Sequence, residues 1–236
     1  DLQGVSVMTI EIIPAILVKS REELMSRLAA VSNYVKTVQI DVMDGKFVPN
    51  TTIGADDLKD LPSGIQYEFH WMVSRPQEWI RKIKGPHIHI PHAEALQTID
   101  DFKEVFKAVE ESGGRLGIAI NPETSLEKIL PFMDKFERVL IMTVHPGFDK
   151  QKYIAAMETK IARLRSLFPK LDIEVDGGIN IHTIGAAVSA GANKLAAASA
   201  IFSVPDVKNA ITGLAVEIKQ SLAQLRPSTR HGAGYD

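Results

Sequence analysis

The sequence predicts one α/β domain folded as a (β/α)8 TIM barrel. Three observations carry this. Eight short apolar runs with strand character alternate with amphipathic helical stretches. No linker or composition shift divides the 236 residues. Two of the apolar runs close on an aspartate followed at once by glycine-bearing turns, in Asp41-Val42-Met43-Asp44-Gly45 and in Asp176-Gly177-Gly178. An open doubly wound sheet is the competing architecture, and eight uninterrupted β-then-α units favour the barrel.

The first strand is expected over residues 10–17, and Ser20-Arg21-Glu22-Glu23 reads as a capping box that opens the first helix. Further strands are expected over 35–43, 66–72, 87–92, 115–120 and 138–144. Residues 153–168 repeat apolar side chains at helical spacing through Ile154, Met157, Ile161, Leu164 and Leu167. The seventh strand spans 172–175, and an Ala-rich eighth spans 194–197. Pro205-Asp206 announces a last helix to about Leu225. The barrel domain is thus expected over 10–226. Residues 1–9 read as an N-terminal extension or an expression remnant. Residues 227–236, rich in Pro, Ser and Gly, read as a flexible tail.

Composition narrows the function. Hydrophobic residues are 45% and charged residues 24%, which suits a globular protein with a sizeable core. A formal net charge of −2 gives no general attraction for nucleic acid or anionic membrane. There is no cysteine, so disulfides and thiolate metal sites are excluded. No run of 18 apolar residues and no signal peptide is evident, so a cytoplasmic location is the expectation.

In such a barrel the site lies at the carboxyl ends of the strands. Side chains alternate along a strand, so Gln39, Asp41 and Met43 share one face, as do Glu68, His70 and Met72. Asp41, His70 and Asp176 are expected to converge over the barrel mouth. A carboxylate at a buried strand end is costly unless something pairs with it. Two carboxylates and one imidazole suit either a divalent metal or a pair of proton-transfer groups. Alternation puts His92 opposite His87 and His89, so His92 reads as site-proximal or structural and the other two as facing the helix layer. Plain structural roles remain open. A strand-end Asp before Gly-Gly is often a turn or cap residue, His70 can be a hydrogen-bonded core histidine, and Lys150 reads as a solvated loop lysine.

Several segments together carry a resemblance. They are Asp41-Val42-Met43-Asp44-Gly45-Lys46-Phe47-Val48-Pro49-Asn50, Phe69-His70-Trp71-Met72, His92-Ala93-Glu94-Ala95, Asn121-Pro122-Glu123-Thr124, Met142-Thr143-Val144-His145-Pro146-Gly147-Phe148 and Glu174-Val175-Asp176-Gly177-Gly178-Ile179. In order and spacing they resemble the ribulose-phosphate 3-epimerases, over roughly residues 12–202. The resemblance implies a TIM barrel that binds a phosphorylated ketopentose and a divalent metal such as zinc, iron(II) or manganese. By resemblance Asp41 and Asp176 are the catalytic acid/base pair, and Asp41, His70 and Asp176 hold the metal. Met43, Met72 and Met142 line the substrate site, with Gly147, Gly177, Gly178 and Ser199 at the phosphate. A homo-oligomer is the family's usual state.

The departures are concentrated at the site. Where the family has a histidine two residues before the first aspartate, this chain has Gln39, a poorer ligand that reads first as a hydrogen-bonder. A substrate-contacting serine is replaced by Ala15, and the family's Gly-Ser after the eighth strand appears as Ala198-Ser199. The Gly-Gly after Phe148 is replaced by Asp149-Lys150, which sets a like charge beside the expected phosphate. Weaker metal binding is therefore expected. The leading reading is a metal-dependent C3 epimerase of ribulose 5-phosphate. The alternatives are an epimerase or isomerase of a related sugar phosphate, and a catalytically inactive barrel that binds a phosphorylated ligand.

Overall fold

The computed structural model describes residues 9–147 and 151–225, so what the sequence predicts for 1–8, Asp149, Lys150 and the tail 227–236 lies outside the described residues. Eight parallel strands close a barrel in chain order. They are β1 (Glu11–Ile16), β2 (Thr37–Met43), β3 (Gln66–Met72), β4 (Ile88–Pro91), β5 (Arg115–Ile120), β6 (Arg138–Met142), β7 (Asp172–Asp176) and β8 (Lys194–Ala197). All eight expected strands are present, within three residues at each end.

The helices are α1 (Arg21–Val31), α2 (Pro76–Ile80), α3 (Ile99–Ser112), α4 (Met157–Leu167), α5 (Ile184–Ala190), α6 (Ser199–Phe202) and α7 (Val207–Leu225). Two crossovers depart from the β-then-α expectation. The connection after β2 carries only the 3₁₀ turn Ala55–Leu58, and that after β5 only the 3₁₀ turns Leu126–Lys128 and Leu130–Lys135. Pro131, at the start of the second of these, lacks the N–H that a continuing α-helix would need there.

Two further readings are corrected. Residues 153–156 lie before α4, and Leu167, at its end, is 49% exposed rather than part of the buried stripe. The capping box at Ser20 is half formed. The Ser20 hydroxyl accepts from Glu23 N at 3.2 Å, while the Glu23 carboxylate bonds Arg27, one helical turn on. The complete box lies at Thr98, whose hydroxyl accepts from Asp101 N while Asp101 accepts from Thr98 N. Ser20→Ala should lower stability by about 1 kcal/mol, the usual worth of an N-cap. A urea midpoint indistinguishable from that of the parent protein would show that the Ser20 bond contributes nothing.

Strand alternation separates two cores. Val38, Ile40, Val42, Phe69, Trp71, Val139 and Ile141 face the helices and are buried there. His89 belongs to this outer layer: Trp71 donates to its Nδ1, and Ser112 contacts its Nε2. Burial pushes the His89 imidazole down to about 3, so it is neutral. Ile88, Ile90, Ala119, Leu140, Met142 and Val144 form a smaller cluster inside the barrel. Fully burying one such side chain stabilises by roughly 1.5–3 kcal/mol.

The barrel interior is not wholly apolar. Below the mouth, Arg138 Nη1 on β6 reaches Glu68 Oε2 on β3 and, at 3.1 Å, Glu174 Oε2 on β7. Burial and the Glu174 charge push the Glu68 carboxyl well above the usual range, against the pull of Arg138. At the foot of the barrel, Lys194 Nζ bonds Glu11 at 2.9 Å. These charges are paired across strands that are distant in sequence.

Candidate active site

Register builds the site. In the β2–β3 ladder Asp41 pairs with His70 and Gln39 with Glu68; in β6–β7 Met142 pairs with Asp176. Asp41, His70 and Met142 point inward by alternation, and Asp176 joins them from the end of β7. The loop after β2 is held by Asp44. Its Oδ1 accepts from Lys46 N and Phe47 N, and its Oδ2 accepts from Ser74 N and Oγ. Asn50 Nδ2 then donates to Gly147 O, tying this loop to the one after β6. The Asp41–Asn50 segment thus presents Asp41 inward and uses the side chains of Asp44 and Asn50 to fix loop geometry.

At the centre, His70 Nδ1 lies 3.1 Å from Asp41 Oδ1 and 3.4 Å from Asp176 Oδ2. Gln39 Nε2 donates to the same two oxygens, at 2.9 Å and 2.8 Å. Gln39 is therefore a hydrogen-bonder in this structure, as its chemistry suggested, and its Oε1 is buried without a partner. Asp41, His70 and Asp176 each offer a ligand atom, all within 4.8 Å of one another.

Burial favours the neutral ring of His70, but the hydrogen bonds and charges of Asp176 and Asp41 outweigh it and push the imidazole up to about 9. Burial likewise raises the Asp41 carboxyl. The His70 hydrogen bond opposes that shift, and the Asp176 charge adds to it.

The centre opens into a narrow cleft of about 60 Å³. Met43, Met72, Met142, Gly147, Gly177, Gly178, Ala198 and Ser199 line it, together with Asp41, His70 and Asp176. Every expected site residue except Gln39 reaches this lining; Gln39 lies beneath it as a support. Ala15 is fully buried and pairs with Gln39 in the β1–β2 ladder, while Leu17 occupies the cleft wall. The glycines have a packing reason besides any ligand. Gly177 has φ +119°, and a Cβ there would meet Val144 Cγ2 at 2.4 Å. Gly178 has φ +68°, and a Cβ would meet Tyr153 N at 2.6 Å.

The family model described as the ribulose-phosphate 3 epimerase family matches residues 11–202. This chain belongs to that family. It is an enzyme of the epimerase class. The cytoplasmic isoform of ribulose-phosphate 3-epimerase from Oryza sativa subsp. japonica is 36% identical over 78% of this chain and 83% of its own. The ribulose-phosphate 3-epimerase of Bacillus subtilis is 35% identical over 80% and 94%. Among solved structures, 3-hexulose-6-phosphate synthase from Salmonella typhimurium superposes with a TM-score of 0.66 at 15% identity. That match covers 90% of this chain and 100% of that one, and shows the shared barrel alone.

Around the site, His92, read as site-proximal or structural, and residues that motif reading did not assign now have partners. His92 Nε2 lies 2.8 Å from His70 Nε2, and His92 Nδ1 lies 3.1 Å from Glu94 Oε2. Burial raises the Glu94 carboxyl, but His92, Thr124 and the Asn121 N–H together bring it down to about 2. Thr143 Oγ1 donates toward the carbonyls of Asp176 and Gly177, and Thr52 Oγ1 donates to Asp41 O. The quoted motifs contain His92, Glu94 and Thr143. Their roles were hidden because strand alternation says which way a residue points, not what meets it there.

Proposed function

We propose that this enzyme inverts C3 of D-ribulose 5-phosphate to give D-xylulose 5-phosphate, with Asp41 and Asp176 as the two proton-transfer groups. The observation that carries the reading is the pairing of these carboxylates at the floor of one cleft, one from β2 and one from β7, with His70 between them. Inversion beside a carbonyl needs a base on one face and an acid on the other. One carboxylate takes the C3 proton, and the C–H electrons pass into an enediolate. The other carboxyl returns its proton to the opposite face. The raised Asp41 carboxyl suits a group that carries a proton for part of the cycle.

The site fits a divalent metal. Asp41, His70 and Asp176 would hold it, and the hard oxygen and borderline nitrogen donors accept zinc, iron(II) or manganese. When bound, the ion supplies a Lewis acid for the negative charge that develops on the substrate oxygens. Turning the Gln39 amide end for end would present its partnerless Oε1 to the cluster, at the loss of two hydrogen bonds to the carboxylates. That exchange supports weak binding. Gln39→His should raise the metal retained through purification, measured per chain by elemental analysis. Equal metal content in both proteins would remove Gln39 as the limiting ligand.

Met43, Met72 and Met142 form the apolar walls against the sugar. The phosphate is read beside Gly147, Gly177, Gly178 and Ser199, where backbone N–H groups can approach without side-chain obstruction. A cytoplasmic location and a homo-oligomer belong to the same reading. The first is supported by the rice relative's being a cytoplasmic isoform. The second rests on family resemblance.

The deciding experiment incubates ribulose 5-phosphate with the protein in D₂O, with and without added zinc, manganese or iron(II), and follows deuterium at C3. Exchange with formation of xylulose 5-phosphate is the expected result. A related phosphorylated ketose is the second reading, favoured by Ala198 in the cleft wall; exchange on such a ketose but not on ribulose 5-phosphate would select it. Exchange on neither would leave only a binding role.

A further inference from the structure

His70 has its two ring nitrogens committed in opposite directions. Nδ1 faces Asp41 and Asp176, and Nε2 faces His92 Nε2 at 2.8 Å. Two ring nitrogens at that distance share one hydrogen, so one of the pair must accept. The other end of His92 decides which. Its Nδ1 lies 3.1 Å from Glu94 Oε2, and an ionised carboxylate only accepts. His92 must therefore carry its N–H at Nδ1. In the neutral ring this leaves Nε2 bare, so His70 supplies the shared hydrogen from its own Nε2. A neutral His70 then has a bare Nδ1, aimed at the carboxylate pair.

We propose that Glu94, acting through His92, is a positioning residue that sets the ring nitrogen His70 presents to the metal site. This rests on the metal reading above. The chain is well anchored for the task. Glu94 Oε1 accepts from Asn121 N at 2.8 Å, which fixes which carboxylate oxygen is left for His92. Lys160 Nζ on α4 holds the carbonyls of Asn121, Pro122 and Thr124, so the segment carrying that N–H is pinned from outside. His92 is fully buried, its ring stacked on His70 with centroids 5.0 Å apart and contacted by Phe47 from another side. A partner that orients a ligating histidine is commonly a carboxylate or carbonyl on its second nitrogen. Here a second imidazole is interposed, and the carboxylate acts at one remove.

Glu94→Gln should reverse the chain. The amide oxygen must take the Asn121 N–H, so the amide NH₂ faces His92 Nδ1 and requires it bare. His92 then carries its hydrogen at Nε2 and donates to His70, whose remaining N–H points into the metal site. His92→Gln, by contrast, preserves the polarity: its NH₂ can donate to Glu94 and its oxygen can accept from His70. His92→Leu removes the link.

Two measurements test this. The first is ¹⁵N NMR of the histidine rings in the metal-free protein above pH 9, where His70 is neutral and its Nε2 is free to donate or accept. Wild-type His92 should show N–H at Nδ1 and a bare Nε2, and Glu94→Gln should exchange them. The second is calorimetric titration with Mn²⁺ and Zn²⁺. Glu94→Gln and His92→Leu should each weaken binding by about 10–100-fold, the usual effect of losing such a support, and His92→Gln should restore most of it. Thermal unfolding confirms that each variant is folded. Wild-type His92 with its N–H at Nε2 overturns the proposal even if no variant folds. So does an unchanged tautomer in Glu94→Gln, or a His92→Gln protein that binds as poorly as His92→Leu. A tautomer switch in proteins that bind no metal upholds the relay and removes the metal reading instead.

Discussion

Asp41→Asn and Asp176→Asn should each abolish epimerisation at C3, and the variant lacking the base that faces the C3 proton of ribulose 5-phosphate should also lose exchange of that proton with solvent. An amide cannot accept that proton, and loss of a positioned acid or base costs on the order of 10²–10⁴-fold in rate. The replacement is nearly isosteric, and Asn can still accept a hydrogen bond from Gln39 through its oxygen, so the fold should survive. Because both groups serve one proton shuttle, the double variant should be little worse than either single one. The measurement is deuterium wash-in at C3 together with the epimerisation rate, with unfolding curves as the control for structure. Turnover within tenfold of the parent in either variant would remove that aspartate from its role. Additive losses in the double variant would mean that the two act independently.

Metal affinity should rise steeply with pH, with His70 as the cause. In the metal-free site the imidazole is raised from 6.5 to about 9 by Asp176 and Asp41 against the effect of burial. A metal needs the bare Nδ1, so binding releases that proton. Below pH 9, apparent affinity should therefore fall about tenfold per pH unit, or two to three orders of magnitude between pH 9 and pH 6.5. The stability of the metal-free protein should run the other way. A raised folded-state value means that His70 stabilises the fold fully below pH 6.5, and that this contribution is lost as pH rises through about 9. The raised Asp41 carboxyl acts with the same sign at lower pH. Calorimetric titration across this range, in buffers of different ionisation enthalpy, reads both the affinity and the protons released. A flat affinity between pH 6.5 and 9 would mean that His70 is already neutral, or is not a ligand.

Most of the barrel was legible because its signals are local. Alternation in Val38-Gln39-Ile40-Asp41-Val42-Met43 separates a helix-facing row from an inward row, and both rows are observed. The aspartate before Gly177-Gly178 marked the end of β7 because the backbone there turns through positive φ. What failed was also local in cause. Helices were expected after every strand, yet after β2 and β5 the chain crosses on 3₁₀ turns. Leu167 continued an apolar period past the end of the buried face, and periodicity carries no information on where a helix loses its neighbour.

By itself, the sequence determined the strand order, the inward set Gln39, Asp41, His70 and Asp176, the motifs that place the chain in its family, and the substitutions that distinguish it. These follow from short-range chemistry: the period of two, turn residues, and the identity of each side chain. Only the tertiary structure decided what meets across the barrel. Gln39 bridges Asp41 and Asp176 from below, Arg138 reaches Glu68 and Glu174 from another strand, and Glu94 connects to His70 through His92. Closure of the sheet brings these groups within hydrogen-bond reach, and the low dielectric of the closed interior makes each buried donor and acceptor demand a partner. Neither the closure nor that demand is a property of any one segment of the chain.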